Sequence, residues 1–226
     1  MKSLASLFSR YSINCLLLPG VLLFSSCQAP EPRNVTLAKW AATDYHNDGR
    51  YDAQFLGVTT QAQQYLRWRA AHLKPGEKIA VVFDLDETLL SNWPFLSEYE
   101  YSRNITLVNH WMKQSRCPVL APSFALYQEA CALHVPVYFI TGRRALLYDA
   151  TLENLRRVGV KQFAKLNCRP MADTNASVIP YKSACRKAIT DAGYHIILNI
   201  GDQWSDLKGG YAERTFKLPD PFYYIK

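Results

Sequence analysis

The chain has 226 residues, 49% of them hydrophobic and 20% charged, which is ordinary for a folded domain and enough to bury one substantial core. Its formal net charge of +7 favours anionic partners by steering, but the basic residues are scattered. No Lys/Arg run marks a nucleic-acid groove, so a nucleic-acid polymer is not an expected partner.

Lys2 and Arg10 precede a short apolar segment, Ile13 to Phe24, which is broken by Asn14 and Pro19 and followed by Ser25-Ser26-Cys27. About twelve residues are too few to cross a bilayer as a helix, and they suit the apolar region of an export signal. Small residues directly before a cysteine resemble a bacterial lipoprotein processing site. The expected organisation is therefore a signal peptide over 1–26 and a lipid-anchored tether over 27–36 carrying Pro30 and Pro32, with lipid on Cys27. The catalytic domain would follow over 37–226. An ordinary secretory signal cleaved nearby is the alternative. Export would place the protein in a bacterial cell envelope, at the outer membrane or in the periplasm, or release it. Losing Lys2 and Arg10 would lower the formal charge from +7 to +5. Cys117, Cys131, Cys168 and Cys185 would remain, an even number that suits an oxidising compartment but does not fix a pairing.

Leu37 to Ala42 and Tyr51 to Leu73 have helical character and lead to a Lys74-Pro75-Gly76 turn. Between them, Asp44-Tyr45-His46-Asn47-Asp48-Gly49 imitates the start of a calcium loop, but its twelfth position is Phe55 where such a loop needs Glu. Ile79-Ala80-Val81-Val82-Phe83 is an apolar run without alternation, as expected of a central parallel strand covered on both faces. It delivers Asp84-Leu85-Asp86-Glu87-Thr88 to the strand's carboxyl end, where ligands gather in such sheets.

Ser91 to Pro118 is dense in aromatics, including Trp93, Phe95, Tyr99, Tyr101 and Trp111. Ala121 to Leu133 is expected to be a helix, and Val135 to Ile140 a second strand ending in Thr141-Gly142-Arg143-Arg144. A helix over Ala145 to Val158 stops at Gly159. Phe163 to Leu166 is a short strand, and a polar loop from Met171 to Pro180 brings in Lys182, which opens a helix to about Asp191. His195 to Ile200 is a third apolar run, ending in Gly201-Asp202-Gln203-Trp204-Ser205-Asp206. Arg214 to Tyr224 closes the chain as an edge strand and a proline-containing tail. Strands alternating with helices imply an α/β fold with a Rossmann-like parallel sheet.

Isolated, an Asp-x-Asp pair is more often a cap or a solvated turn, Thr141 a helix cap and Lys182 a solvated lysine. Here they occur in order, each at a strand end or a helix start. Together they resemble the four motifs of the haloacid dehalogenase superfamily of phosphotransferases. Phe83 to Asn92, Thr141-Gly142-Arg143, Tyr181-Lys182-Ser183 and Gly201 to Leu207 are similar, more narrowly, to its class B/C-type acid phosphatase branch. That branch includes bacterial lipoprotein acid phosphatases and the plant acid phosphatases related to vegetative storage proteins. The resemblance spans roughly residues 35 to 226.

The resemblance implies the haloacid dehalogenase fold, with a small cap of about 91–118 inserted after the first core strand. It implies that Asp84 attacks phosphorus, and that Asp86 protonates the leaving alcohol and then activates water. Thr141 and Lys182 would bind phosphate. Mg²⁺ would be held by Asp84, Asp202 and the backbone carbonyl of Asp86. Asp206 is expected to orient Lys182 or a metal-bound water, and Thr88 to brace the loop that carries the aspartates. Trp93, Phe95 and Trp111 could bury the organic half of a substrate, although most such rings simply pack a small core.

The expected substrates are small phosphomonoesters, with nucleoside 5′-monophosphates among the candidates. Two rivals stand beside phosphatase activity: a catalytically weak storage or binding protein on the same scaffold, and a phosphotransferase that passes the phosphoryl group to an alcohol. None of His46, His72, His110, His134 or His195 lies in an Arg-His-Gly segment, so a histidine nucleophile is not expected.

Overall fold

The computed structural model of the chain describes residues 31–226. Cys27, the expected signal segment 1–26 and residues 27–30 of the expected tether lie outside the described residues. The compact unit treated below is Asn34–Lys226.

The expected tether ends before residue 36. The side chain of Asn34 accepts the N–H groups of Thr36 and Leu37 at 2.9 and 3.3 Å, which caps helix α1 (Val35–Asn47). That helix runs past Ala42 and absorbs most of the calcium-loop look-alike. Gly49, at φ 87°, then turns the chain into α2 (Arg50–Ala71). β1 (Lys78–Phe83) follows, then two short helices, α3 (Trp93–Glu98) and α4 (Ile105–Lys113), before α5 (Ala121–Ala132). β2 (Val137–Arg144) leads through a single 3₁₀ turn to α6 (Tyr148–Arg157) and β3 (Lys165–Arg169). The chain ends with α7 (Ile179–Asp191), β4 (Tyr194–Gly201), the one-turn α8 (Trp204–Leu207) and β5 (Arg214–Lys217).

The five strands form one parallel sheet in the order β3-β2-β1-β4-β5. β1 is central, and the chain leaves it first toward β2 and later returns on its other side as β4. The carboxyl end of β1 is therefore the crevice where loops diverge to opposite sides, the usual ligand position in such sheets. Successive β1 side chains serve opposite faces. Ile79, Val81 and Phe83 join the larger core with Phe55, Leu66, Leu126 and Phe139. Ala80 and Val82 join a smaller one with Ile140, Ile189 and Ile196, beneath α7. Burial on both faces explains the absence of polar alternation in this run.

Several boundaries differ from those expected: β2 starts two residues later and runs on through Thr141 to Arg144, α6 starts at Tyr148 after the 3₁₀ turn, and the next strand and helix are shifted as well. The third strand starts at Lys165 instead of Phe163: the Phe163 ring packs edge-on against Phe139 at 5.4 Å, ahead of the ladder that begins at Tyr138↔Lys165. Apolar character there marks the core and not the pairing. α7 begins at Ile179, not at Lys182, because Pro180 fits the first turn, where a missing N–H costs nothing. Cys117, Cys131, Cys168 and Cys185 are all free thiols. Among the described residues, no helix is long and apolar enough to cross a membrane.

Candidate active site

The segment after β1 folds into a tight turn around one carbonyl. Leu85 O accepts the N–H groups of Thr88, Leu89 and Leu90 at 3.2, 2.9 and 2.8 Å, and Glu87 sits at φ 50°. Asp84 N donates to Ile200 O at 3.0 Å, which carries the β1–β4 ladder one residue into the site. Thr88 is fully buried and joins the two strand ends. Its hydroxyl accepts Asp202 N–H at 3.1 Å and lies 3.2 Å from Asp202 Oδ1.

Lys182 reaches in from the first turn of α7. Its Nζ donates to Asp84 Oδ1 and to Asp206 Oδ1, each at 2.6 Å, and all three side chains are buried. Asp206 is itself held, because its Oδ2 accepts Gln203 N–H at 2.8 Å within the α8 capping box. Asp202 Oδ2 accepts Gln203 Nε2 at 2.8 Å. Asp84 Oδ2 has no hydrogen-bond partner among the described residues, and Asp84 lines a cavity of about 510 Å³.

Two carboxylates, Asp84 and Asp206, therefore share one ammonium, and the third, Asp202, has none among the described residues. Burial pushes the Asp84 carboxyl up to about 7 against the pull of Lys182, with Asp206 and Asp86 adding repulsion. Burial, then Asp206, Asp220 and Asp84, raise Asp202 well above its usual range. Burial alone would lower Lys182, but Asp206 and Asp84 more than reverse this and keep it protonated. The donor atoms of Asp84, Asp202 and Asp206 can all lie within 4.8 Å of one another. A buried, oxygen-only cluster with surplus negative charge fits a hard divalent cation. Of the three, Asp84 and Asp202 could hold such a cation, whereas both oxygens of Asp206 are engaged, by Lys182 and Gln203.

Asp86 stands across the turn with 17% of its side chain exposed. Arg143, whose side chain is fully buried, grips it from β2: Nη2 lies 2.7 Å from Oδ1 and Nε lies 3.1 Å from both oxygens. Asn92 Nδ2 adds a bond to Oδ1 at 2.8 Å. Burial works to raise Asp86, but the charge of Arg143 and the hydrogen bonds from Arg143 and Asn92 outweigh it and hold the carboxyl below its usual value. Thr141 is buried within β2, where its hydroxyl accepts Arg143 N–H at 3.2 Å; Gly142 and Arg143, which follow it, line the cavity.

The cavity wall is largely apolar. Phe95, Ile105, Val108 and Trp111 contribute from the segment between β1 and α5, and Tyr223 and Tyr224 from the tail. Phe95 and Trp111 thus line the same cavity as Asp84 and Asp86. Trp93 does not line it. Its indole stacks on His46 at 3.6 Å between centroids and meets Phe222 and Tyr101, so this ring packs the cap against α1 and the tail.

Several residues around the site had no role assigned from sequence. Arg143 belongs to the Thr141-Gly142-Arg143 motif, and its grip on Asp86 depends on a contact 57 residues away in the chain. Glu87 is buried and pushed up to about 8, by burial first and then by Asp220 and Asp86. It accepts Tyr223 Oη at 2.7 Å and Asn92 Nδ2 at 3.0 Å. Gln203 ties Asp202 to Asp220 and to the backbone N–H of Ile225. The available signal for Glu87 was its position directly after Asp84-Leu85-Asp86; nothing local marks Tyr223.

A family model described as HAD superfamily, subfamily IIIB (acid phosphatase) matches residues 24–226. The chain is 40% identical over 179 residues to "Acid phosphatase 1" of Solanum lycopersicum, covering 77% of this chain and 69% of that one. It is also 34% identical over 176 residues to "Vegetative storage protein 1" of Arabidopsis thaliana, covering 76% and 65%. The class C acid phosphatase from Bacillus anthracis, solved with tungstate bound, superposes with a TM-score of 0.70 at 23% identity. That match covers 84% of this chain and 86% of the other. At that identity the likeness concerns the fold.

Proposed function

Because the chain belongs to the HAD superfamily, subfamily IIIB acid phosphatases, we propose that it is a Mg²⁺-dependent phosphomonoesterase working through an aspartyl-phosphate on Asp84. The observation that carries this reading is the Lys182 bridge between Asp84 and Asp206, at 2.6 Å to each, which leaves Asp84 Oδ2 unpartnered at the cavity.

Asp84 attacks phosphorus as the ester P–O bond breaks, and Asp86 gives its proton to the departing alkoxide oxygen. In the second half Asp86, now a carboxylate, takes a proton from water as that water displaces the Asp84 carboxylate from phosphorus. Lys182 offers positive charge to the phosphate oxygens, and the Thr141 hydroxyl offers them a hydrogen bond. A bound Mg²⁺, held by Asp84, Asp202 and the Asp86 carbonyl, would supply the charge that lets an anionic nucleophile meet an anionic ester. The first half needs Asp86 protonated while Arg143 holds its pKa down, which favours an acidic optimum. The apolar wall favours esters of planar or apolar alcohols, nucleoside 5′-monophosphates among them.

The test is phosphate release from p-nitrophenyl phosphate and a panel of nucleoside monophosphates, with Mg²⁺ or EDTA, beside Asp84→Asn. Turnover should require metal and vanish in the variant. Folded protein without turnover would instead favour a storage or binding role, the reading suggested by the likeness to a vegetative storage protein. Phosphorylated alcohol formed at the expense of free phosphate, when alcohol is added, would favour phosphotransfer. Export and lipidation at Cys27 complete the proposal, on the strength of the sequence alone. They predict a detergent-phase protein that Cys27→Ser moves to the aqueous phase.

A further inference from the structure

Asn92 is the first residue past the β1 turn whose side chain touches both the turn and the cap helices. It is 5% exposed, and each atom of its amide is engaged. Trp111 Nε1 on α4 donates to Asn92 Oδ1 at 2.9 Å, and Cys117 Sγ lies 3.4 Å from the same oxygen. On the other side, Nδ2 donates to Asp86 Oδ1 at 2.8 Å and to Glu87 Oε2 at 3.0 Å. An indole N–H can only donate and an ionised carboxylate can only accept, so one orientation of this amide satisfies its neighbours. The tryptophan therefore dictates which way the amide points, and the amide's N–H groups are aimed at Asp86.

Arg143 alone would leave Asp86 held from one direction, so that the carboxylate could swing with the guanidinium. A second donor from a different element fixes its position as well as its charge. Asn92 supplies that donor, and Arg116, its guanidinium 4.9 Å from the Trp111 ring centroid, helps hold the indole in place. Trp111 is thereby more than a wall of the cavity.

We infer that Asn92 is a positioning residue for Asp86, oriented by the Trp111 indole, so that the cap controls proton delivery to the leaving group. The inference rests on Asp86 acting as the acid, as proposed above. Misplacement of a reacting group by about 1 Å can cost on the order of 100-fold in rate. The cost should fall where protonation matters. p-Nitrophenolate departs with little help, whereas the alkoxide of a simple alkyl phosphate needs the proton.

The experiment compares kcat and KM for p-nitrophenyl phosphate and an alkyl phosphate in the full protein and in Asn92→Ala, Trp111→Phe and Asp86→Asn, each checked for folding by circular dichroism. Asn92→Ala should raise the ratio of the two kcat values by about tenfold or more, mainly by lowering the alkyl rate. Trp111→Phe keeps a ring but loses the N–H, and should move the ratio the same way by less. A merely structural role would lower both rates together and leave the ratio fixed. If Asp86→Asn raises the ratio while Asn92→Ala does not, the positioning role is overturned and the acid role of Asp86 stands. If Asp86→Asn itself leaves the ratio unchanged, the acid role falls and takes the positioning role with it.

Discussion

Lys182 shows what one side chain must do in a buried acidic cluster. Its ammonium is the cation that Asp84 and Asp206 share, and its stem crosses from α7 to the end of β1. Replacing it by Met keeps much of the stem and removes the charge. Two buried carboxylates then lose their partner, and stability measured in urea should fall by about 3–5 kcal/mol in metal-free protein. Phosphatase turnover in Mg²⁺ should fall by about 100-fold or more, as when one transition-state donor is lost. At this scale the meeting of Asp84, Asp86, Asp202 and Lys182 around one cavity was legible, because each follows an apolar run or lies near a helix start in a repeating order. Asn92 and Tyr223 were not. What makes them matter is a partner 19 residues away in one case, Trp111, and 136 in the other, Glu87. Trp93 misled for the opposite reason: its aromatic character is spent on His46.

Among the elements, the junction of β4 with α8 leaves least room. A Cβ on Gly201 would come within 2.5 Å of the Cβ and Oδ2 of Asp206, nearer than real contacts allow. The backbone must approach that carboxylate closely for Lys182 to be gripped. Gly201→Ala should therefore displace Asp206, lowering turnover by about tenfold or more and stability by about 1–3 kcal/mol. Activity assays and thermal melts of the variant would check both; unchanged turnover would mean that Asp206 can move without releasing Lys182. The alternation of strands and helices was legible from apolar runs and turn residues, and so was the parallel sheet. Strand β3 was misplaced because Phe163 belongs to the core without belonging to the ladder, and α7 because Pro180 looks like a breaker yet is tolerated in a first turn.

Across the whole molecule, the end of the sheet opposite the site is held by a separate charge network. Arg69 on α2 bonds Glu77 just before β1 and Glu213 just before β5, and His195 on β4 lies between the two glutamates at 2.9 and 3.3 Å. Arg69, a backbone N–H from Lys74 and His195 hold the Glu77 carboxyl down to about 2, against about 4.5 in the unfolded chain. A depressed carboxyl stabilises the fold fully above its unfolded value and loses that contribution as pH falls through its folded one. Between about pH 4.5 and 2, then, wild type should lose melting temperature faster than Glu77→Gln, and the two curves should converge. Parallel slopes over that range would show that Glu77 is not the group being titrated.

The site draws on the chain from β1 to its last residues, and that has a consequence for timing. Synthesis makes Asp84 and Glu87 first. Lys182 follows Asp84 by 98 residues, and Tyr223, which closes over Glu87, comes later still. A nascent chain therefore carries its acidic turn through the 98 residues that separate Asp84 from Lys182 before the cation that pairs with it is made. If the export proposed above precedes folding, the assembled site forms only after the chain has left the cytoplasm, away from the cell's own phosphate esters.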